Sequence, residues 1–297
     1  MSPLQGPAPF VPLDVWQERK RRLGQQQEIF DSTDLWKETI ETKLAGLLET
    51  NQFYNFTRCG RDRIFRTCRD CGDWTAMDYR CTIKWCPRCN YRLGLKRRQK
   101  IELWSQEIDQ PKHVVLTCRN FPILTRKKFR DFSGALAQLR RRSVFAKVSG
   151  GTASIETTNE SNGWHVHAHM LLDARWIDIR ELAVVWGKLV GQEYGIVHIK
   201  DVRAKSFLQE VCKYVVKGSE MAKWPAEQIL EFVTAVKGVR NFFVFGSLFN
   251  RSKRIQAKIN LDAPEKEICK CGCNKFIFRD ERTEIIIDAE KSAKKRR

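Results

Sequence analysis

One short segment carries the strongest pattern in this chain, and it reads Gly163-Trp164-His165-Val166-His167-Ala168-His169-Met170-Leu171-Leu172. Three of the five histidines of the chain stand here at alternate positions. Since successive side chains of a β-strand point to opposite faces, His165, His167 and His169 are expected on one face and the apolar residues on the other. Imidazoles two residues apart on a strand can hold one divalent metal, so the segment predicts a metal or active site. The alternative is a strand whose polar residues face solvent.

The residues before this strand predict its hairpin partner. The segment 152–157 alternates polar and apolar residues, and the turn-forming cluster 159–163 joins it to the histidine strand. Glu156 shares a face with Ser154, and if that is the histidine face, Glu156 can reach the same metal as a third ligand. Otherwise Glu156 is an exposed strand residue.

The order of the predicted elements indicates an α+β fold. From residue 111 the pattern reads strand, helix, strand, strand, helix, strand and helix, over 113–118, 125–147, 152–157, 164–172, 178–191, 196–202 and 205–217. This order fits a ferredoxin-like or RRM-like antiparallel sheet with helices on one face. Before it, the spacing of Trp36, Ile40, Leu44 and Leu48 predicts an amphipathic helix that ends near Thr50.

The overall charge points to a polyanionic partner. Lysine and arginine number 54 against 35 aspartate and glutamate, which gives a formal net charge of +19. Such a protein commonly binds nucleic acid, whereas a membrane-surface protein would gather its basic residues on one amphipathic helix. Here they are spread along the chain, so we expect nucleic acid as the partner and binding that weakens steeply with salt.

The chain carries no pattern for membrane insertion or export. No run of about 18 apolar residues occurs, and the N-terminus lacks the basic and apolar regions of a secretory signal. Eleven cysteines in such a chain favour a reducing compartment and zinc over a secreted disulfide scaffold. We therefore expect a cytoplasmic protein with no membrane partner.

Two Cys-x-x-Cys pairs between residues 59 and 89 predict a zinc site. The first choice of ligands is Cys68, Cys71, Cys86 and Cys89. Cys59 and Cys81 are then spare, or one of them replaces a member of this set, or two metals are bound. Four thiolates leave no open position for water, so the zinc is expected to be structural.

A third cysteine cluster lies near the C-terminus, where Cys269, Cys271 and Cys273 alternate with other residues. It can form half of another zinc site or remain as free thiols, and the sequence leaves its role open.

The predicted helix 205–217 carries a polar stripe. Glu210, Tyr214 and Lys217 stand at i, i+4 and i+7 and therefore line one helical face. Such a stripe is often only a solvated face. Beside a metal-binding sheet in a nucleic-acid-binding protein, it also suits a catalytic role.

Together these motifs resemble those of a known family. His167-Ala168-His169 resembles the His-hydrophobic-His motif of HUH endonucleases, and the segment 210–217 resembles their single-tyrosine motif. The segment 81–92 resembles the cysteine motif of rolling-circle plasmid replication initiators, and the likeness covers about residues 59–250. The implied fold is the HUH endonuclease fold.

The resemblance also implies roles for particular residues. His167 and His169 would bind a catalytic Mg²⁺ or Mn²⁺, with Glu156 as the third ligand. Tyr214 would be the nucleophile, Glu210 an acid that helps the terminating cleavage, and Lys217 a helper cation. The implied reaction nicks single-stranded DNA or a plasmid origin hairpin, forming a 5′-phosphotyrosine link and a 3′-hydroxyl that a host polymerase and helicase use.

These patterns divide the chain into four predicted parts. They are a helical basic arm over 1–50, a zinc-binding module over 51–110, an HUH nuclease domain over 111–250 and a basic tail over 251–297. Two other readings stay open. One is a single-strand transposase or relaxase with the same chemistry, and the other is a non-catalytic zinc-ribbon protein that binds nucleic acid without cutting it.

Overall fold

A computed structural model of the chain describes residues 32–106, 108–160, 162–202, 218–249, 269–273, 275–280 and 286–287. Most of the predicted N-terminal arm and the predicted helix 205–217 lie outside these residues.

The described helices are α1 (32–44), α2 (Asn51–Arg58), α3 (Pro87–Ser105), α4 (Arg126–Leu139), α5 (Ile179–Leu189), α6 (Gly218–Lys223) and α7 (Ala226–Ala235). A short 3₁₀ turn, Ser143–Phe145, follows α4. Side-chain caps start several of them. For example, the Asp178 carboxylate accepts hydrogen bonds from the backbone N–H groups of Arg180 and Glu181 at the start of α5.

The helix expected to end near Thr50 ends earlier, and a second helix starts after Thr50. The first ends at residue 44, and Gly46 follows with a φ of 76°, a left-handed conformation that glycine adopts readily. The Thr50 hydroxyl accepts a hydrogen bond from the backbone N–H of Phe53, so Thr50 starts α2 rather than closing α1.

The strands are β1 (Arg63–Cys68), β2 (Trp74–Asp78), β3 (Pro111–Thr117), β4 (Val148–Glu160), β5 (Gly163–Ala174), β6 (Ile196–Asp201), β7 (Phe242–Gly246), β8 (Phe276–Asp280) and β9 (Ile286–Ile287). They form two antiparallel sheets. The larger has the order β6-β3-β5-β4-β7, and the smaller has the order β2-β1-β8-β9. The larger sheet with the helices between its strands confirms the predicted α+β fold class.

The histidine strand β5 lies in the middle of the larger sheet. It pairs with β3 on one side and with β4 on the other, and the β4–β5 hairpin places Glu156 directly opposite His167. The apolar face of β5 lies in the main core, where Val166, Ala168 and Met170 are at most 1% exposed. The predicted alternation of faces therefore places the apolar side of this strand in the core and its histidines on the opposite side.

Helices pack against both sides of this strand. Phe132 of α4 and Trp186 of α5 meet edge to face in the main core, on the apolar side. On the histidine side, Leu171 packs in a separate cluster with Ile101 and Trp104 of α3. Burial of this apolar surface holds the sheet between helices.

The smaller sheet joins two distant parts of the sequence. The strand β8, which lies in the segment predicted as a basic tail, pairs with β1 from Ile64 to Cys68. At one end of this pair, the buried guanidinium of Arg58 forms ion pairs with Asp62 and Asp280. These two carboxylates compensate the buried charge of Arg58. They raise the pKa of Arg58 above its ordinary value, with Asp280 as the largest cause.

None of the described helices is long and apolar enough to cross a lipid bilayer.

Candidate metal centres

Three side chains of the β4–β5 hairpin converge on one point. Nε2 of His167 lies 3.0 Å from Oε2 of Glu156, and Nε2 of His169 lies 3.1 Å from the same oxygen. All three side chains are largely buried, with 13%, 6% and 5% of His167, Glu156 and His169 exposed. The sheet register is the cause, because Glu156 pairs with His167 across the hairpin and Ser154 pairs with His169.

The spacing of these atoms fits a divalent ion. Adjacent ligands of an octahedral ion with bonds of about 2.1 Å lie about 3.0 Å apart, close to the two distances between the imidazole nitrogens and Glu156. Two imidazoles and one carboxylate leave other coordination positions open for a substrate oxygen. These three residues can therefore hold a metal, as the sequence predicted.

His165 stands on the same face but has another partner. Its Nε2 lies 2.8 Å from the hydroxyl of Thr117 on β3, and its ring meets that of His167 edge to face with centroids 5.1 Å apart. His165 therefore packs beside the three-residue cluster and is not one of its potential ligands.

A fourth histidine, not expected from the sequence, belongs to this site. His113 on β3 is 5% exposed, and its Nε2 lies 3.2 Å from Nδ1 of His169. The two rings are stacked with centroids 5.4 Å apart. The sequence contained a weak signal, because His113 begins a predicted strand, but nothing local shows that this strand pairs with β5.

A cavity of about 320 Å³ opens beside Glu156. Its lining includes three cationic side chains from outside the hairpin, Lys84, Arg97 and Lys237, and two carboxylates, Glu156 and Glu220. Burial lowers the pKa of Arg97 to about 10. Burial is also the main reason that the pKa of Lys84 is lowered, and the positive charge of Arg97 adds to it. Two desolvated cations beside a metal-capable cluster make this cavity suited to an anion.

One group of four cysteines lies at the start of α3. The sulfur atoms of Cys59, Cys81, Cys86 and Cys89 lie within 4.8 Å of one another. Cys86 is the N-cap of α3 and Cys89 lies in its first turn. Hydrogen bonds with Cys59, Cys81 and Cys89, together with burial, raise the pKa of Cys86. Hydrogen bonds from the other three thiols, led by Cys81, lower the pKa of Cys59. By contrast, burial alone raises the pKa of the isolated Cys118 to about 11.

A second group lies at one end of the smaller sheet and consists of Cys68, Cys71, Cys269 and Cys271, again with sulfur atoms within 4.8 Å. The backbone N–H of Cys71 donates to the sulfur of Cys68, which is the main reason that the pKa of Cys68 is lowered to about 6. The other C-terminal cysteine, Cys273, is buried next to this group.

The cysteine pairing differs from the first choice made from sequence. The expected ligand set of Cys68, Cys71, Cys86 and Cys89 is not brought together. The β1–β2 hairpin carries the first pair toward the C-terminal segment, while the start of α3 holds the second pair beside Cys59 and Cys81. This arrangement matches the alternative of two metals.

The expected catalytic residues of the helix 205–217 lie outside the described residues. These are Glu210, Tyr214 and Lys217. Their roles remain expectations from the resemblance.

The sheet and the Glu156, His167 and His169 cluster define an α+β protein with a group of side chains on one sheet face that can hold a metal ion. A family model described as Replication protein matches residues 75–270, more than half of the chain's 297 residues. The chain therefore belongs to the replication protein family of rolling-circle plasmid initiators. Comparisons with curated proteins and with solved structures gave no match.

Proposed function

We propose that this protein starts plasmid replication by nicking single-stranded DNA at the origin, with Tyr214 as the nucleophile and Glu156, His167 and His169 holding Mg²⁺ or Mn²⁺. The convergence of these three side chains within 4.8 Å is the observation that supports the proposal most. Membership of the replication protein family supplies the biological setting. In this proposal residues 111–250 form the nuclease domain, and the host polymerase and helicase act after the nick.

The proposed reaction exchanges one phosphodiester bond for another. The Tyr214 oxygen forms a bond to the scissile phosphorus, and the bond from phosphorus to the 3′-oxygen breaks. The 3′-oxygen takes up a proton and becomes the free 3′-hydroxyl, while the 5′-phosphate stays on Tyr214. A bound divalent ion would stabilise the charge that develops on the phosphate.

The remaining proposed roles belong to side chains of the chain itself. A phenol with a pKa of about 10 is mostly protonated at neutral pH, so Lys217 would favour the anionic form of Tyr214. Glu210 would accept a proton in the later cleavage that ends replication. His113, which contacts His169 Nδ1, would hold that ring in place.

The cavity beside Glu156 supplies a place for the DNA backbone. Lys84 and Arg97 line it, and burial removes water that would stabilise their positive charges. A phosphate bound there would stabilise these charges in place of the water. We expect Lys84→Met and Arg97→Met to weaken single-stranded DNA binding and to reduce the slope of log affinity against log salt by about 1 each. Lys127→Met, at a lysine that is 84% exposed, is the control and should bind as the wild type does.

The four cysteines Cys59, Cys81, Cys86 and Cys89 are proposed to bind one structural Zn²⁺. Four thiolates close the coordination sphere, so this ion would fold the start of α3 against α2 and take no part in the reaction.

The experiment is a denaturing gel of the protein with labelled single-stranded origin DNA and Mn²⁺. The wild type should give a covalent protein–DNA band that EDTA prevents, and Tyr214→Phe should give none. Tyr194→Phe, at a tyrosine that is 64% exposed, is the matched control and should behave as the wild type. Covalent adducts with Tyr214→Phe would refute the nucleophile.

The metal ligands are tested in the same assay. His167→Ala and His169→Ala should each abolish metal-dependent nicking, whereas His198→Ala, on the exposed edge strand β6, should not. Cleavage that persists in both ligand variants would refute the assignment. Binding without any scission by the wild type would point instead to a non-catalytic nucleic-acid-binding protein.

A further inference from the structure

We propose that Cys68, Cys71, Cys269 and Cys271 bind a second zinc ion, and that this ion fastens the C-terminal segment 269–280 to the hairpin formed by β1 and β2. The site is separate from the histidine cluster and does not depend on the nicking chemistry. It gives the C-terminal cysteines, whose role the sequence left open, a structural function.

The sulfur distances fit a tetrahedral tetrathiolate site. The sulfur atoms of Cys68 and Cys271 are 3.6 Å apart, and those of Cys71 and Cys269 are 3.3 Å apart. With zinc–sulfur bonds of about 2.3 Å, the edge of a sulfur tetrahedron is about 3.8 Å. A disulfide would require about 2.05 Å, so the observed spacing is that of ligands rather than of bonded pairs.

Each half of the site is a turn that ends in Cys-Gly, with two residues between its cysteines in the first half and one residue in the second. In the first, the backbone N–H of Gly72 donates to the carbonyl of Cys68, and in the second, that of Gly272 donates to the carbonyl of Cys269. Both glycines adopt positive φ angles, 75° and 84°, which other residues rarely tolerate. Each turn thereby directs two sulfur atoms to the same side, as zinc-binding turns require.

The turns are also tied to each other by the backbone. The N–H of Arg69 donates to the carbonyl of Lys275 over 3.0 Å, and Cys68 pairs with Phe276 where β1 meets β8. The site therefore closes one end of the β1–β8 pair. The buried ion pair between Arg58 and Asp280 closes the other end, so the segment is held at both ends.

The fifth cysteine of the region offers a matched control. The backbone N–H of Lys275 donates to the sulfur of Cys273 over 3.2 Å, and Cys273 lies outside the group of converging sulfur atoms. A serine at position 273 should therefore leave the metal in place, whereas a serine at position 271 removes a ligand.

The experiment measures zinc per chain in the purified full-length protein by inductively coupled plasma mass spectrometry. We expect about two zinc ions in the wild type and in Cys273→Ser, and about one in Cys271→Ser. Hydrogen exchange at the amides of 276–280 should become at least about tenfold faster in Cys271→Ser, because the zinc site no longer holds the start of β8 against β1.

A measurement on the unmodified protein covers the case in which Cys271→Ser does not fold. Titration of the metal-free chain with Co²⁺ should give thiolate-to-cobalt absorption that saturates at about two equivalents. Saturation at one equivalent, iron in place of zinc, or a disulfide between Cys68 and Cys271 in protein purified without reductant would each overturn the proposal. Zinc loss in Cys273→Ser but not in Cys271→Ser would overturn the ligand set.

Discussion

The contact between His113 and His169 leads to a quantitative prediction about metal affinity. Nε2 of His169 faces Glu156, so the tautomer whose Nε2 lone pair can bind a metal carries its hydrogen on Nδ1. His113 Nε2, 3.2 Å away, is placed to accept that hydrogen. Replacing His113 with phenylalanine keeps a flat aromatic ring at this position, slightly larger than imidazole, but removes the acceptor.

The magnitude follows from burial. Losing a partner that orients a metal-binding histidine typically lowers metal affinity by about 10–100-fold. His113 is 5% exposed, so water has little access to replace the lost nitrogen. We therefore expect the upper part of this range, a loss of about 30–100-fold, which corresponds to about 2–2.7 kcal/mol.

The assay is calorimetric titration of the protein with Mn²⁺, together with thermal unfolding to confirm that each variant is folded. His198→Phe makes the same substitution at the exposed edge of the sheet and should bind Mn²⁺ as the wild type does. If folded His113→Phe bound Mn²⁺ within about twofold of the wild type, the orienting role of His113 would be refuted.

Three further predictions concern single side chains. Glu156→Gln removes the charged ligand and should weaken Mn²⁺ binding by at least about 100-fold in the same titration; equal affinity would exclude Glu156 as a ligand. Asp280→Ala leaves Arg58 with Asp62 alone and should cost about 1.5–3 kcal/mol in urea unfolding, and an unchanged midpoint would contradict this. Gly246→Ala should cost about 2 kcal/mol in that assay, because φ is 60° and a Cβ would lie 2.3 Å from the carbonyl oxygen of Ser149. Wild-type stability of Gly246→Ala would show that β7 can shift.

The histidine strand was readable from sequence because its information is local. Alternation along an extended chain fixes which side chains share a face, so His167 and His169 were predicted together. The turn-forming residues after Glu156 predicted the hairpin that brings the carboxylate opposite them. In the structure these residues do lie together, with Glu156 across from His167.

The cysteine sites show what local patterns leave open. A Cys-x-x-Cys pair predicts that its own two thiolates converge, but its spacing holds no information about which other pair completes the tetrahedron. Cys68 meets Cys271 across more than half the chain because β8 pairs with β1. No feature near Cys68 in the sequence encodes that contact.

The sequence by itself determined the order of strands and helices from residue 111 to 202 and the common face of the histidines, since both depend on residues that are neighbours along the chain. Composition alone determined the basic character of the protein. Tertiary structure decided the two cysteine groups, the contact of His113 with His169 and the cationic cavity beside Glu156. These depend on strand pairing and helix packing between distant segments, which are selected by the burial of the whole core rather than by any one stretch.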